Sequence, residues 1–235
     1  MKPHLILLPG LLCDEAVWSP LLSELDAVAQ CQIPGYGSAD TITAMAEVVL
    51  RNAPERFALA GHSMGGRVAM EIMRLAPQRV ERLALMDTGF EARRPGADGE
   101  AEAAKRHALL AIARSDGMRA MGTQWAGGMV HPERLGDAVL MEDILAMIDR
   151  KTPDIFAAQI RALLARPDAT PVLSSLTLPT LLMCGRQDSW SPPAQHEAML
   201  RLAPAARLVI IEDSGHMSTM ERPGAVAATM LEWLA

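Results

Sequence analysis

The chain has 235 residues, 50% hydrophobic and 21% charged, the balance of a folded domain rather than a disordered chain or a small stapled scaffold. At this length a compact domain buries about 70% of the surface exposed by its unfolded chain, so no metal or disulfide framework is needed. The formal net charge is -6, with 22 Lys and Arg interspersed among 28 Asp and Glu, which leaves no basic stripe for a nucleic-acid partner.

The first element is His4–Leu8, a continuous apolar run closed by Pro9-Gly10, the pattern of a strand buried on both faces. A helix over 18–25 and a second strand over 27–31 follow, ended by the turn at 33–37 with its Pro34, Gly35 and Gly37. Asp40 or Thr41 can cap the next helix, whose Ile42, Met45, Val48 and Val49 recur at helical spacing. A third strand at 57–60 runs through Gly61-His62-Ser63-Met64-Gly65-Gly66 into a helix over 68–73 that ends near Pro77. Further strands are expected at Val80–Met86, 180–184 and Arg207–Ile211, with helices at Pro193–Leu202 and Pro223–Leu234. This alternation predicts an α/β, three-layer sandwich around a mostly parallel central sheet of about six strands.

Between Phe90 and Pro171 only helix-like pieces occur, around 100–113, 132–147 and 154–166, too much chain for an ordinary connection. The expected organisation is core 1–89, a helical cap subdomain 90–171 over the carboxyl ends of the strands, and core 172–235. Residues 93–99 read as an exposed hinge or loop. Gly117, Gly122, Gly127 and Gly128 interrupt 118–129, a composition that resists a long rigid helix and suits a mobile pocket wall.

The apolar half is aliphatic, with 16 Met against three Phe, one Tyr and four Trp, which predicts a soft core or an adaptable apolar pocket. Cys13, Cys31 and Cys184 form no CxxC pair and cannot all pair internally, as expected of free thiols in a reducing compartment. No apolar run approaches the ~20 residues of a membrane span, and the N-terminus shows no signal-cleavage pattern. The expectation is therefore a cytoplasmic protein without membrane insertion, monomer or homodimer.

Residues 61–65 match G-x-S-x-G between a predicted strand and helix, where a sharp turn would expose the Ser63 hydroxyl and tolerate only small flanking residues. A serine hydroxyl needs a base. Of six histidines, His216 in Asp213-Ser214-Gly215-His216 falls after the last strand, at the sheet edge that carries Ser63. His62 lies on the other flank of the turn, pointing away. Asp188, after the fifth strand, is the stronger candidate to orient the imidazole, and Asp87, after the fourth, is the alternative. No H-E-x-x-H, H-x-H or G-x-G-x-x-G pattern supports a metal or dinucleotide. Arg67, one turn into the helix after Ser63, could read a substrate anion or pair with Glu71 at i+4.

These features together resemble the α/β-hydrolase superfamily, of the type with a short helical cap, over nearly the whole chain. The resemblance rests on the turn at 61–65, the acid loop at 185–188 and Ser214-Gly215-His216. It implies a catalytic triad of Ser63, Asp188 and His216. It also implies an oxyanion hole from the backbone N–H of Met64 and of Leu11, with Leu12 the alternative to Leu11. Many relatives carry His where Pro9 stands, and Pro9 has no N–H to give. The family's usual first two strands are absent. Trp18 stands where relatives often have a Trp closing the loop.

A serine nucleophile argues against epoxide opening and dehalogenation and for acyl transfer without cofactor or metal. The main expectation is a serine hydrolase for a small or medium apolar carboxylic ester, with Leu12, Trp18, Met121, Trp125, Met129 and Met217 as candidate pocket residues. The alternatives are a carbon–carbon bond hydrolase, an elimination-type lyase or a non-enzymatic ligand-binding protein of the same fold.

Overall fold

The computed structural model describes residues 2–235. Six strands form one sheet in the order β2-β1-β3-β4-β5-β6, every neighbouring pair parallel. They are β1 His4–Leu8, β2 Gln30–Gln32, β3 Phe57–His62, β4 Val80–Met86, β5 Thr180–Gly185 and β6 Arg207–Ile211. Every residue of β3 and β5 is buried, because a central parallel strand has helices on both faces and therefore reads as an unbroken apolar run. The edge strand β2, Gln-Cys-Gln, is half exposed.

The helices are α1 Leu22–Val28, α2 Ile42–Asn52, α3 Met64–Leu75, α4 Ala97–Ser115, α5 Met118–Trp125, α6 Ala138–Asp149, α7 Pro153–Leu164, α8 Thr170–Ser174, α9 Pro193–Leu202, α10 Ser218–Glu221 and α11 Pro223–Leu234. α1 packs on α11, while α2, α3, α8 and α9 pack in succession, giving the two helical layers of the sandwich. Thr41, not Asp40, caps α2, its Oγ1 accepting the Ala44 N–H at 3.0 Å.

Several expectations shift, beginning with the helix expected over 18–25, which runs over Leu22–Val28 after a 3-10 turn at Ser19–Leu21. The second strand lies at 30–32 rather than 27–31: Ala27 and Val28 complete α1, Val28 faces solvent, and only Ala29 turns to extended backbone (φ -133°, ψ 167°). Residues 97–99 are not loop but the first turn of α4. Gly99 is buried there because the Arg94 carbonyl occupies the place of its missing Cβ. Gly122 does not break its segment; it lets α5 lie closely on α6, where a Cβ would come 3.2 Å from Leu145 and Ile148.

Between β4 and β5 the chain is helical, with α4, α5, α6 and α7 packed on one another. Buried Gln159 of α7 accepts the Leu12 N–H at 2.8 Å, and Arg150 donates to Asp14 at 2.9 and 3.0 Å, so this insertion is anchored to the loop after β1. Cys13, Cys31 and Cys184 are free thiols. Among the described residues no helix is long and apolar enough to cross a membrane, and no group of three or more His, Cys, Asp or Glu could hold a metal ion.

Candidate active site

Ser63 stands between β3 and α3 at φ 56°, ψ -118°, a left-handed conformation that costs a non-glycine residue about 1–3 kcal/mol. The turn is over-determined by close approaches. A Cβ on Gly61 would meet the Gly65 carbonyl oxygen at 2.4 Å, and one on Gly65 would meet the Leu8 oxygen at 2.2 Å. Only glycine fits at both flanks. The Ser63 N–H donates to Met86 O at 2.8 Å and its carbonyl accepts from Thr88 Oγ1 at 2.7 Å, pinning the turn to the end of β4.

Three sheet-edge loops converge on this turn. His216 Nε2 lies 2.9 Å from Ser63 Oγ, and its Nδ1 lies 2.9 Å from Asp188 Oδ2. The other Asp188 oxygen accepts the N–H groups of Trp190 and Ser191, both at 2.9 Å. Burial alone would raise the Asp188 pKa, but His216 and these donors outweigh it and hold it down to about 2. Burial likewise disfavours a charged His216, yet the Asp188 carboxylate, backed by Asp87 and Glu221, raises its pKa above the ordinary 6.5.

Asp87 does not touch His216. Its Oδ1 accepts the Gly185 N–H at 3.0 Å and its Oδ2 the Ser218 hydroxyl at 2.5 Å, joining the acid loop to the histidine loop. His62 is fully buried and its Nε2 lies 2.8 Å from the His216 carbonyl oxygen, which makes that nitrogen the protonated one. Burial pushes its pKa down to about 4, so it braces the loop as a neutral ring. Buried Glu221 accepts the Gly215 N–H at 2.9 Å and the His131 N–H at 2.7 Å, tying the same loop to the insertion.

The Met64 N–H is one of the orphan donors of the first turn of α3, and Leu11 faces the same space. A Cβ on Gly10 would stand 3.1 Å from Ser63 Cβ, which shows how close the loop after β1 approaches the hydroxyl. The Leu12 N–H is already bound to Gln159. Of the two donors expected from this loop, Leu11 is therefore the one whose N–H is not already engaged.

A cavity of about 630 Å³ opens over Ser63 and His216, well within the range of small-molecule sites. Trp125, Met129 and Met217 lie on its wall as expected from sequence, whereas Leu12, Trp18 and Met121 do not. All three are fully buried in the core. Trp18 is sealed in without a partner for its Nε1, Met121 is on the packed side of α5, and Leu12 (φ 59°) points its side chain away from the opening. Trp190, which sequence reasoning missed, stacks on Trp125 with centroids 5.2 Å apart and stands 4.9 Å from the His216 ring. Phe156 lies 6.2 Å from Trp125 on the same wall. A chain poor in aromatics thus spends three of its eight at this cavity. The signal available was Trp190 itself, two residues beyond Asp188 in the same loop. Arg67 is also on the wall and makes no pair with Glu71, which is engaged by Arg74 at 2.7 and 2.9 Å.

A strand-turn-helix serine, a histidine loop and an acid loop on one parallel sheet agree with the match of residues 5–229 to the model described as the alpha/beta hydrolase family. The chain belongs to the α/β hydrolase family. Among its relatives, the pimeloyl-[acyl-carrier protein] methyl ester esterase of Vibrio campbellii is 28% identical over 99% of this chain and 95% of its own length. Among solved structures, an esterase from Thermogutta terrifontis is similar with a TM-score of 0.86 and 28% identity, covering all of this chain and 90% of that one. MenH from S. aureus shares the α/β-hydrolase fold with a TM-score of 0.84 at 18% identity, over 100% of this chain and 94% of its own. These relationships support hydrolytic activity for this α/β hydrolase.

Proposed function

We propose that the protein is a serine hydrolase that cleaves a small or medium carboxylic ester through an acyl-enzyme. The observation that carries this reading is the unbroken hydrogen-bonded relay Ser63–His216–Asp188 at the floor of a cavity with an apolar wall. Ser63 Oγ attacks the ester carbonyl as its proton passes to His216 Nε2, and Asp188 stabilises the imidazolium that forms. The oxyanion is held by the N–H groups of Met64 and Leu11, aimed at charge that exists only in the transition state. His216 then gives its proton to the leaving alcohol, and water, deprotonated by the same imidazole, releases the acid. The acyl chain lies against Trp125, Met129, Phe156 and Met217, on the insertion and the histidine loop. In this reading the inserted helices act as the cap. That curated relatives are named for methyl ester cleavage supports the ester bond as the one broken.

The test is a fluorophosphonate probe followed by peptide mass mapping, alongside turnover of 4-nitrophenyl butyrate. A single adduct on Ser63 with loss of turnover is expected; labelling elsewhere, or turnover surviving stoichiometric labelling, would overturn the assignment.

The pH profile follows from the raised His216 pKa. The base must be neutral to accept the Ser63 proton, so kcat/KM rises as His216 deprotonates and reaches half its plateau above pH 6.5. Asp188, held down to about 2, stays ionised throughout that limb. Initial rates between pH 5 and 9 check this, and a midpoint below 6.5 would contradict it.

A further inference from the structure

Arg67 projects from α3 one turn beyond Ser63, ~6 Å along the helix axis, and lines the same cavity. Gly89 leaves room for it: a Cβ there would meet Arg67 Nη2 at 2.9 Å and Gln195 Nε2 at 2.6 Å. Two side chains rich in N–H donors therefore converge on one spot of the wall.

The guanidinium is poorly matched by the protein. Its Nη1 donates to the Glu91 carbonyl at 2.9 Å, an oxygen that also accepts from Arg166 Nε at 3.2 Å. Among the described residues no carboxylate lies within ion-pair distance of it. The nearby acid, Glu102, is occupied on both sides, by Arg166 at 2.7 and 2.9 Å and by Arg106 at 2.9 and 3.0 Å. Arg106 and Arg166 thus share Glu102, and Arg94 of the same wall pairs with Asp98 at 3.5 Å, which leaves Arg67 outside both pairs. Burial, and then Arg166, draw the Arg67 pKa down to about 9 although Glu102 and Glu91 act the other way, so it stays charged at neutral pH and only partly compensated. A half-buried charge with no carboxylate in direct contact is costly, and Arg67 borders the cavity.

We infer that Arg67, with the Gln195 amide beside it, binds a carboxylate of the substrate, making the preferred ester a half-ester of a dicarboxylic acid. This deepens the ester-hydrolase reading and rests on it. The planar fork of Arg67 suits a carboxylate in two-point contact. The aromatic and methionine wall takes the methylenes between the carboxylate and the scissile carbonyl.

The test compares monomethyl adipate with methyl hexanoate, following methanol release. A charge-assisted contact should favour the half-ester by about 10- to 100-fold in kcat/KM. Arg67→Leu should collapse that ratio towards one, Arg67→Lys should keep part of it, and Gln195→Leu should lower it. Thermal melts establish that each variant folds, and the Lys and Gln195 variants carry the test if the Leu variant does not. A ratio unmoved by these changes would overturn the carboxylate site and leave the ester reading intact. Calorimetry on Ser63→Ala, which cannot turn over, gives the second arm. Monomethyl adipate should bind at least 10-fold more weakly once Arg67→Leu is added. If such Arg67-dependent binding appears while the unaltered enzyme cleaves neither ester, the site stands and the ester reading falls. Tighter binding of inorganic phosphate than of the half-ester would overturn the choice of carboxylate.

Discussion

Ser63→Ala should lower kcat/KM on a short activated ester by about 10⁵-fold or more while the thermal midpoint moves by only a few degrees. The two halves of this expectation come from different parts of the turn. In the proposed reaction catalysis depends on the hydroxyl, which lies 2.9 Å from His216 Nε2; without it the base has nothing to activate but water. The Met64 and Leu11 donors remain, and such a residue of oxyanion stabilisation and binding sustains ~10³-fold over the uncatalysed rate in triad enzymes. Stability depends on the backbone. The left-handed φ of 56° is held by the glycine contacts at 61 and 65 and by the Ser63 hydrogen bonds to Met86 and Thr88. None of these involves the side-chain oxygen, and alanine meets the same backbone strain as serine. Turnover within tenfold of the unaltered enzyme would remove Ser63 from the reaction.

That turn was legible in the sequence because its constraints are local. The approach of Leu8 to Gly65 comes from the neighbouring strand β1, whereas Gly61 meets Gly65 within one strand-to-helix junction, so residue type and spacing report that contact directly. The same holds for β4, β6, α9 and α11, whose bounds follow from short apolar runs and from Pro at the helix starts. β2 was misplaced by three residues because Ala27 and Val28 fit either element, and only the pairing of Gln30 with His4 settles where the strand begins. Gly99 reads as the end of a loop and Gly122 as an interruption of its helix, yet each serves a close contact that sequence does not display.

Side-chain direction was the harder matter. Leu12, Trp18 and Met121 lie in the right segments, but each points into the core, and a one-residue rotation on a loop or helix separates wall from interior. The compliant methionine pocket expected from composition became a mixed one in which Met64, Met129 and Met217 share the wall with Trp125, Phe156 and Trp190. Arg67 shows the limit most clearly. Glu71 at i+4 is a reasonable partner on spacing alone, but Arg74 takes it from i+3, and the competition is decided by packing that only three dimensions supply. Once displaced, Arg67 turns to the cavity.

Asp188→Asn should cost about 10⁴-fold in kcat, whereas Asp87→Asn should cost less than tenfold, although both carboxylates are buried at the same sheet edge. The difference lies in what each oxygen faces. Asp188 Oδ1 accepts two backbone N–H groups, from Trp190 and Ser191, so an asparagine must keep its carbonyl there and turn its NH₂ towards His216 Nδ1. Donor would then face donor unless the imidazole moves its proton to Nε2, the atom that must accept from Ser63. The substitution also removes the charge that raises the His216 pKa, so any residual activity should have its rising limb shifted to lower pH. At Asp87 the asparagine carbonyl can keep the Gly185 N–H, and the Ser218 hydroxyl can rotate from donor to acceptor for the new NH₂. No tautomer is forced. Rates of both variants across pH 5 to 9 separate the two roles; a larger loss in Asp87→Asn, or an unshifted limb in Asp188→Asn, would move the orienting carboxylate to Asp87.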